Sequence, residues 1–282
     1  MVERRPLLNF FSHFLLIAGV VIVCLPIYIA FVTSTHGVKD LLHAPIPLWP
    51  GHEFWHNYTT VIFHGLAGTD DQPVWPFLLN SLIMALSIAI GKIAVSIISA
   101  FAIVYFRFPL RNLFFWMIFV TLMLPVEIRI LPTFQVAANL QLLNTYTGLS
   151  LPLIASATAT FLFRQFYMTI PDDLADAAKM DGAGPLRFFI DTLLPLSKTN
   201  IAALFIIMFI YGWNQYLWPL VITTQSHMNT IVMSMQELAS VADQIPQWNY
   251  VMATAILALL PPVIIVIIMQ KLFVKGLVEK EK

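Results

Sequence analysis

The sequence predicts an all-α, polytopic membrane protein with six transmembrane helices and both termini in the cytoplasm. Three observations predict it. The 282 residues are 59% apolar and only 11% charged, with a mean hydropathy of +0.81. Six apolar runs are close to or longer than the roughly 20 residues that cross a bilayer. The basic residues gather on one side of those runs. Helices are expected because lipid offers the backbone no hydrogen-bond partners.

The first run, Phe10 to Val32, follows Arg4 and Arg5. It exceeds a signal-peptide core and lacks a small-x-small cleavage site, so it reads as an uncleaved anchor. The second run covers about 77–105, the third 113–134 and the fourth 146–167. The fifth covers 201–222 and the sixth 250–273. Together they make one transmembrane domain over 1–282. Pro26, Pro125, Pro152, Pro261 and Pro262 fall inside runs and predict kinks whose lost bonds packed neighbours resupply. The single cysteine, Cys24, excludes an intrachain disulfide and is expected as a small buried hydrophobe.

Charge orients the bundle. The amino terminus, the 106–112 turn, the 164–200 segment and the tail hold twelve of the fifteen Lys and Arg residues. The opposite loops, 33–76, 135–145 and 223–249, hold only Lys39. The positive-inside rule then puts both termini and the 168–200 loop in the cytoplasm. Trp75, Trp213, Trp218 and Trp248 fall near the ends of runs, as interfacial aromatics do. The balanced charge and a pI near 7.1 give no sign of nucleic-acid binding.

The first external loop contains "GHEFWH", an H-E-x-x-H pattern formed by His52, Glu53 and His56. On a helix such a pair can hold zinc with the glutamate as general base. Pro45, Pro47 and Pro50 lie just upstream, so any helix must start close to His52. A catalytic zinc also needs a third protein ligand. The extended pattern would place Gly at 59 and His at 62, where Thr59 and Ile62 stand. His64 and Asp70 have no fixed relation to the pair. The reading is therefore an amphipathic segment on the membrane surface, presenting Phe54, Trp55 and Tyr58, with no metal.

The cytoplasmic loop "IPDDLADAAKMDGAGPLRFFIDTLLPLSK" is more specific. Pro171 suits a first helical turn, and Asp172 and Asp173 complement its dipole. Leu174, Ala177 and Ala178 give the helix a small apolar face. Gly182 and Gly184 can end it, and Pro185 can restart a second helix. A helix–turn–helix protruding between spans can be a docking element or an ordinary solvated loop.

This loop resembles the E-A-A-x3-G-x9-I-x-L-P motif of permease subunits in binding-protein-dependent ABC importers. Asp176, Ala177, Ala178, Gly182, Leu194 and Pro195 stand at matching positions, with Asp176 for Glu and Thr192 for Ile. "NSLIMALSIAIGK", "LMLPVEIRILPTF", "LLNTYTGLSLPLIA", "GWNQYLWPL" and "QKLFVKGL" are similar, in order, to the maltose-type carbohydrate permeases. HEFWHNYTTVIF resembles that family's external segment, which carries no zinc. The chain stops soon after Leu277, without the glycine-rich ending common in the family.

The resemblance implies a type I ABC importer permease fold in the bacterial inner membrane. It implies Asp176, Ala177, Ala178, Gly182, Leu194 and Pro195 as the ATPase-coupling residues. It also implies a sister permease forming the other half of the pore, two ATPase subunits and a periplasmic solute-binding protein. The 223–249 loop is the expected contact for the binding protein. Within the family the chain is most similar to permeases importing sn-glycerol-3-phosphate, which implies that solute or a glycerophosphodiester. A neutral oligosaccharide or sugar is the alternative cargo.

The sequence contains no G-x-x-x-x-G-K-[ST] loop; Gly91-Lys92 lacks the upstream Gly and the following Ser or Thr. ATP and Mg are thus expected on the partner ATPase, with no cofactor in this subunit. A transport subunit rather than an enzyme is expected. A secondary transporter would show inverted repeats, and none is evident. Lys92 lies near the middle of the second run, where a charge costs about 2.5–3.5 kcal/mol on insertion scales. With Arg129 it can form an electropositive step in the solute path, or it can pair internally, for instance with Glu127.

Overall fold

The computed structural model describes residues 6–42, 45–66, 68–121, 126–240 and 246–278. Among them the regular structure is helical throughout. α1 (Pro6–Ser34) begins with Pro at its first position, where no backbone donor is lost. At its other end the Ser34 and Thr35 hydroxyls donate to the carbonyls of Phe31 and Val32. The short α2 (Val38–Leu41) leads to α3 (Phe54–Phe63) on the external side of the sequence topology. α4 (Trp75–Tyr105) is one uninterrupted helix of 31 residues. α5 (Arg111–Val120) and α6 (Val126–Asn139) occupy the expected third span, whose residues 122–125 lie outside the described residues.

The expected fourth span is broken. α7 (Tyr146–Ser150) passes into a 3-10 turn, Leu151–Leu153, and then bends 49° into α8 (Ala157–Tyr167). Pro152 in that turn has no N–H to continue an α-helical ladder. Ser156 restarts the helix, its Oγ accepting from the Ala159 amide. The 168–200 loop forms α9 (Asp172–Met180), α10 (Pro185–Phe188), a π turn over Phe189–Leu193 and α11 (Leu194–Leu196). α12 (Lys198–Trp213) leaves it at a 71° bend.

The expected fifth span, 201–222, is also divided: α12 ends at Trp213 and α13 (Leu217–Ile222) is separate. Asn214 caps α12, while the Trp218 indole donates to the Gly148 carbonyl and ties α13 to α7 instead. α14 (Ile231–Ala239) and α15 (Trp248–Val278) complete the described chain. Segments Phe10–Ser34, Trp75–Tyr105 and Trp248–Gln270 are long and apolar enough to cross a membrane unaided. Each bent pair passes the same test when taken as one broken span, which raises the number to five.

The chain forms two compact units, one of Met1–Pro76 with Ser234–Leu260 and one of Phe77–Met233 with Pro261–Lys282. In the first, Asn57 is the polar anchor. Its amide donates to the carbonyls of Ser34 and His36 at 2.9 Å each, and its own carbonyl accepts from Asn249 at 3.2 Å. Leaving such buried groups unpaired costs about 1–3 kcal/mol apiece. Tyr58 pairs with Ser34, and burial raises its pKa above the ordinary 10.0 while that hydrogen bond pulls the other way. α1 itself shows most of its apolar surface, so Cys24 is exposed in the isolated chain rather than buried.

In the second unit Met84 and Ile88 of α4 pack with Ala137, Leu149, Leu153, Trp218, Ile222 and Met228. Gly212 lets α12 approach α4 closely, since a Cβ there would stand 3.0 Å from the Ala85 Cα. Asn80 holds the external segment after α13: its amide donates to the carbonyls of His227 and Asn229, and its carbonyl accepts from Tyr146.

Candidate functional site

The second unit contains a cavity of about 540 Å³ whose lining joins the two cations singled out from the sequence, Lys92 and Arg129. Lys92 projects from the middle of α4 and is 6% exposed. Its Nζ sits 3.6 Å from the centroid of the Tyr211 ring on α12. A desolvated contact of this kind is worth about 2 kcal/mol, which offsets much of the cost of an intramembrane charge. The hydroxyl residues Ser99, Thr121, Ser156, Thr158 and Thr160 also line it, with Val95, Ile118, Ile207 and Met208 among its apolar wall.

The break in the expected fourth span creates this lining. Ala155 and Ser156, between the 3-10 turn and α8, line the cavity together with Ala157 and Thr158 of the first turn of α8, and non-helical backbone within a span is tolerated where it lines a cavity. The Ser96 hydroxyl of α4 donates to the Ser156 carbonyl at 3.2 Å, and Gly91 leaves room for Ile154 against the same helix. The Glu127 side chain, the suggested internal partner of Lys92, lies outside the described residues. The described ion pairs, His36–Asp40, Lys179–Asp176 and Arg187–Asp191, do not include Lys92.

The 168–200 loop is a second candidate site. α9 buries none of its residues, and Leu174, Met180, Leu186 and Ile190 of the loop are exposed. Gly182 has φ +73°, with the amide of Ala183 bonding the Ala178 carbonyl and its own amide the Lys179 carbonyl. This is a Schellman C-cap, the termination that favours glycine. Asp176 pairs with Lys179 at 2.8 Å on the exposed surface, a contact worth a few tenths of a kcal/mol.

Behind the exposed helix the loop is locked to the unit. Phe188 meets Tyr105 edge-on at 5.3 Å, and Phe189 lies against Phe101 at 4.9 Å. Pro195 cannot bond back to the preceding turn, and the π turn over Phe189–Leu193 stands where that ladder is interrupted. From this clamp α4 runs about 13 Å to Lys92, and α12 rises about 20 Å from Lys198 to Tyr211. Of the helices lining the cavity, α4 thus ends against the loop and α12 begins at it.

The H-E-x-x-H residues do not form a helical pair. α3 starts at Phe54, so His52 and Glu53 precede it and only His56 is helical. The segment is held by other bonds: the Gly51 amide donates to Thr35 Oγ1 and the Glu53 amide to the Thr35 carbonyl. Trp55 is exposed, while Phe54 packs on Phe31 and Tyr58. Glu53→Gln is expected to leave uptake within about twofold of wild type, because among the described residues no ion pair of the Glu53 side chain supports the turn. Stoichiometric zinc in the purified protein, lost in His52→Ala, would contradict this.

Residues 92–279 match the family of binding-protein-dependent transport system inner membrane components. The chain belongs to that family. The permease is 56% identical over 282 residues to the sn-glycerol-3-phosphate transport system permease protein UgpE of Escherichia coli O1:K1 and to that of Pectobacterium atrosepticum, with 100% of both chains covered in each case. It superposes with a TM-score of 0.81 on a chain of a bacterial ABC transporter involved in the import of the acidic polysaccharide alginate. That match covers 96% of this chain and 98% of the other at 19% identity. The permease therefore has the ABC importer permease fold and is an inner-membrane component of a binding-protein-dependent transport system.

Lys92 and Arg129 come together in one cavity of the permease, and Asp176, Ala177, Ala178 and Gly182 in one exposed hairpin. Leu194 and Pro195 sit at the root of that hairpin, away from its tip. Sequence reasoning missed Tyr211, which covers the Lys92 ammonium, and Asn57 and Asn80, which anchor external segments. The only local signal was a polar residue inside an apolar run, and it does not name a partner.

Proposed function

We propose that the permease carries sn-glycerol-3-phosphate or a glycerophosphodiester inward as one half of a pore completed by a sister permease. Two ATPase subunits supply the power and hold ATP and Mg, this subunit holding no cofactor. A periplasmic solute-binding protein delivers the solute, docking on the 223–249 loop. All six spans cross the inner membrane, with both termini cytoplasmic.

The observation that carries this reading is the pairing of Lys92 and Arg129 in one hydroxyl-lined cavity. A phosphate ester needs cations and hydrogen-bond donors to replace lost hydration, whereas a neutral sugar does not justify a buried lysine. Relatives at 56% identity named for sn-glycerol-3-phosphate transport support the same cargo. Closure of the ATPases pushes α9 and α10. The Phe188–Tyr105 and Phe189–Phe101 contacts pass that displacement to α4, while the chain itself passes it to α12. A rigid-body switch of these helices reopens the cavity from one side to the other.

The test is hydrolysis and uptake by the complete importer in proteoliposomes, with its binding protein present. sn-Glycerol-3-phosphate or glycerophosphocholine should stimulate hydrolysis, and maltose should not. Stimulation by maltose alone would assign the neutral-sugar cargo instead.

A further inference from the structure

A groove of about 350 Å³ lies between α5 and α8, lined by Asn112, Phe115, Trp116, Phe119, Phe161, Arg164 and Gln165. Its two ends differ in chemistry. Asn112 is in the first turn of α5, and Arg164 and Gln165 are in the last turn of α8. By the positive-inside rule these turns stand at the cytoplasmic headgroup level. The aromatic residues lie one to two turns deeper, with Phe119 and Phe161 in contact at 5.6 Å as the floor.

The polar end is built for an anion. Arg164 lays its guanidinium 4.1 Å from the Phe115 ring, which fixes the group without neutralising it. Among the described residues its buried Nε finds no hydrogen-bond partner. An orphaned buried donor on a cation costs more than a neutral one, so a missing acceptor is indicated. α5 opens here without a side-chain cap, adding the positive end of a ten-residue helix. The groove lining contains no carboxylate.

We propose that this groove binds one anionic phospholipid of the inner leaflet. Its phosphate accepts from Arg164 and the first turn of α5, and an acyl chain lies along Phe115, Trp116 and Phe119. The gradient from guanidinium to aromatic wall over two helical turns matches the gradient of a lipid from headgroup to chain. A free phosphate would use the polar end alone and leave the aromatic wall without a role. The occupant is separate from the transported solute, because the groove shares no lining residue with the Lys92 cavity.

The test is native mass spectrometry of the complete importer released from membranes in mild detergent. Wild type should retain phosphatidylglycerol or cardiolipin, and Arg164→Gln should lower its occupancy about fivefold with the subunits still assembled. Arg164→Lys should fall between the two. Equal lipid retention in Arg164→Gln, or loss of the partner permease with lipid unchanged, would overturn the proposal and make the groove a protein interface. Where that variant fails to assemble, wild-type importer with brominated phosphatidylglycerol decides. Fluorescence from Trp116, read as the difference from Trp116→Phe, should be quenched, and millimolar inorganic phosphate should not relieve the quenching. Absence of quenching, or full relief by phosphate, would refute a lipid site.

Discussion

Gly182→Val is expected to abolish uptake while leaving the permease inserted in the membrane. Gly182 stands at φ +73°, a backbone region that a β-branched residue enters only at about 1–2 kcal/mol or more. A Cβ there would meet nothing within 4 Å in the chain itself. The internal cost is therefore conformational, and any steric cost falls on a docked partner. Loss of the left-handed turn releases the Ala183–Ala178 and Gly182–Lys179 bonds and lets the tip of α9 fray. Because α9 buries nothing in the permease, the fold and the transmembrane helices should survive. ATPase co-purification should fall about tenfold or more, with solute-stimulated hydrolysis lost. Ala178→Asp, on the same helix, should act likewise by adding charge to a small apolar face. Gly182→Asn should retain most function, since Asn tolerates the left-handed region. Wild-type co-purification and hydrolysis in Gly182→Val and Ala178→Asp would remove the coupling assignment.

Lys92→Met should have the second-largest effect, with the opposite balance between stability and function. Removing the charge relieves an insertion cost of about 2.5–3.5 kcal/mol, so expression should be normal or higher. Transport of the anionic solute should fall about tenfold or more, with Arg129 left as the sole cation of the cavity lining. Tyr211→Phe keeps the ring face against Nζ and should be far milder. Uptake by proteoliposomes across a range of solute concentrations separates the outcomes. Normal expression with unchanged solute affinity for transport in Lys92→Met would show that the lysine serves packing rather than passage.

The helix–turn–helix of the 168–200 loop was the most legible part of the candidate sites, for a local reason. Pro171, the acidic first turn, Gly182 and Pro185 each act on the backbone within a few residues, so their order alone spells helix, turn and helix. The H-E-x-x-H segment shows the limit of such reading. The pattern is local, but whether it is helical depends on Thr35, sixteen and eighteen residues away, which pins Gly51 and Glu53 before α3 begins. The kink at Pro152 in the fourth span was expected, but the division of the fifth span was missed, and the bonds that hold both breaks are equally non-local. Residues 154–156 read as part of one apolar run, and the polar Asn214 and Gln215 are too short an interruption to end the 201–222 run, while the hydrogen bonds from Ser96 to Ser156 and from Trp218 to Gly148 come from elsewhere in the chain.

The sequence by itself determined the class of the protein, its apolar runs and the turn chemistry of the 168–200 loop. These follow from composition and from interactions spanning one or two helical turns, which any folded arrangement must respect. Only the tertiary structure decided that Lys92 lies under Tyr211 and shares a cavity with Arg129. It alone decided that Phe188 and Phe189 clamp the loop to α4, and that Asn80 holds a segment 147 residues away. In an apolar chain every helix face is hydrophobic enough to be buried. Which faces meet is therefore settled by close packing at glycines and by a few buried hydrogen bonds, and those depend on partners far apart in sequence.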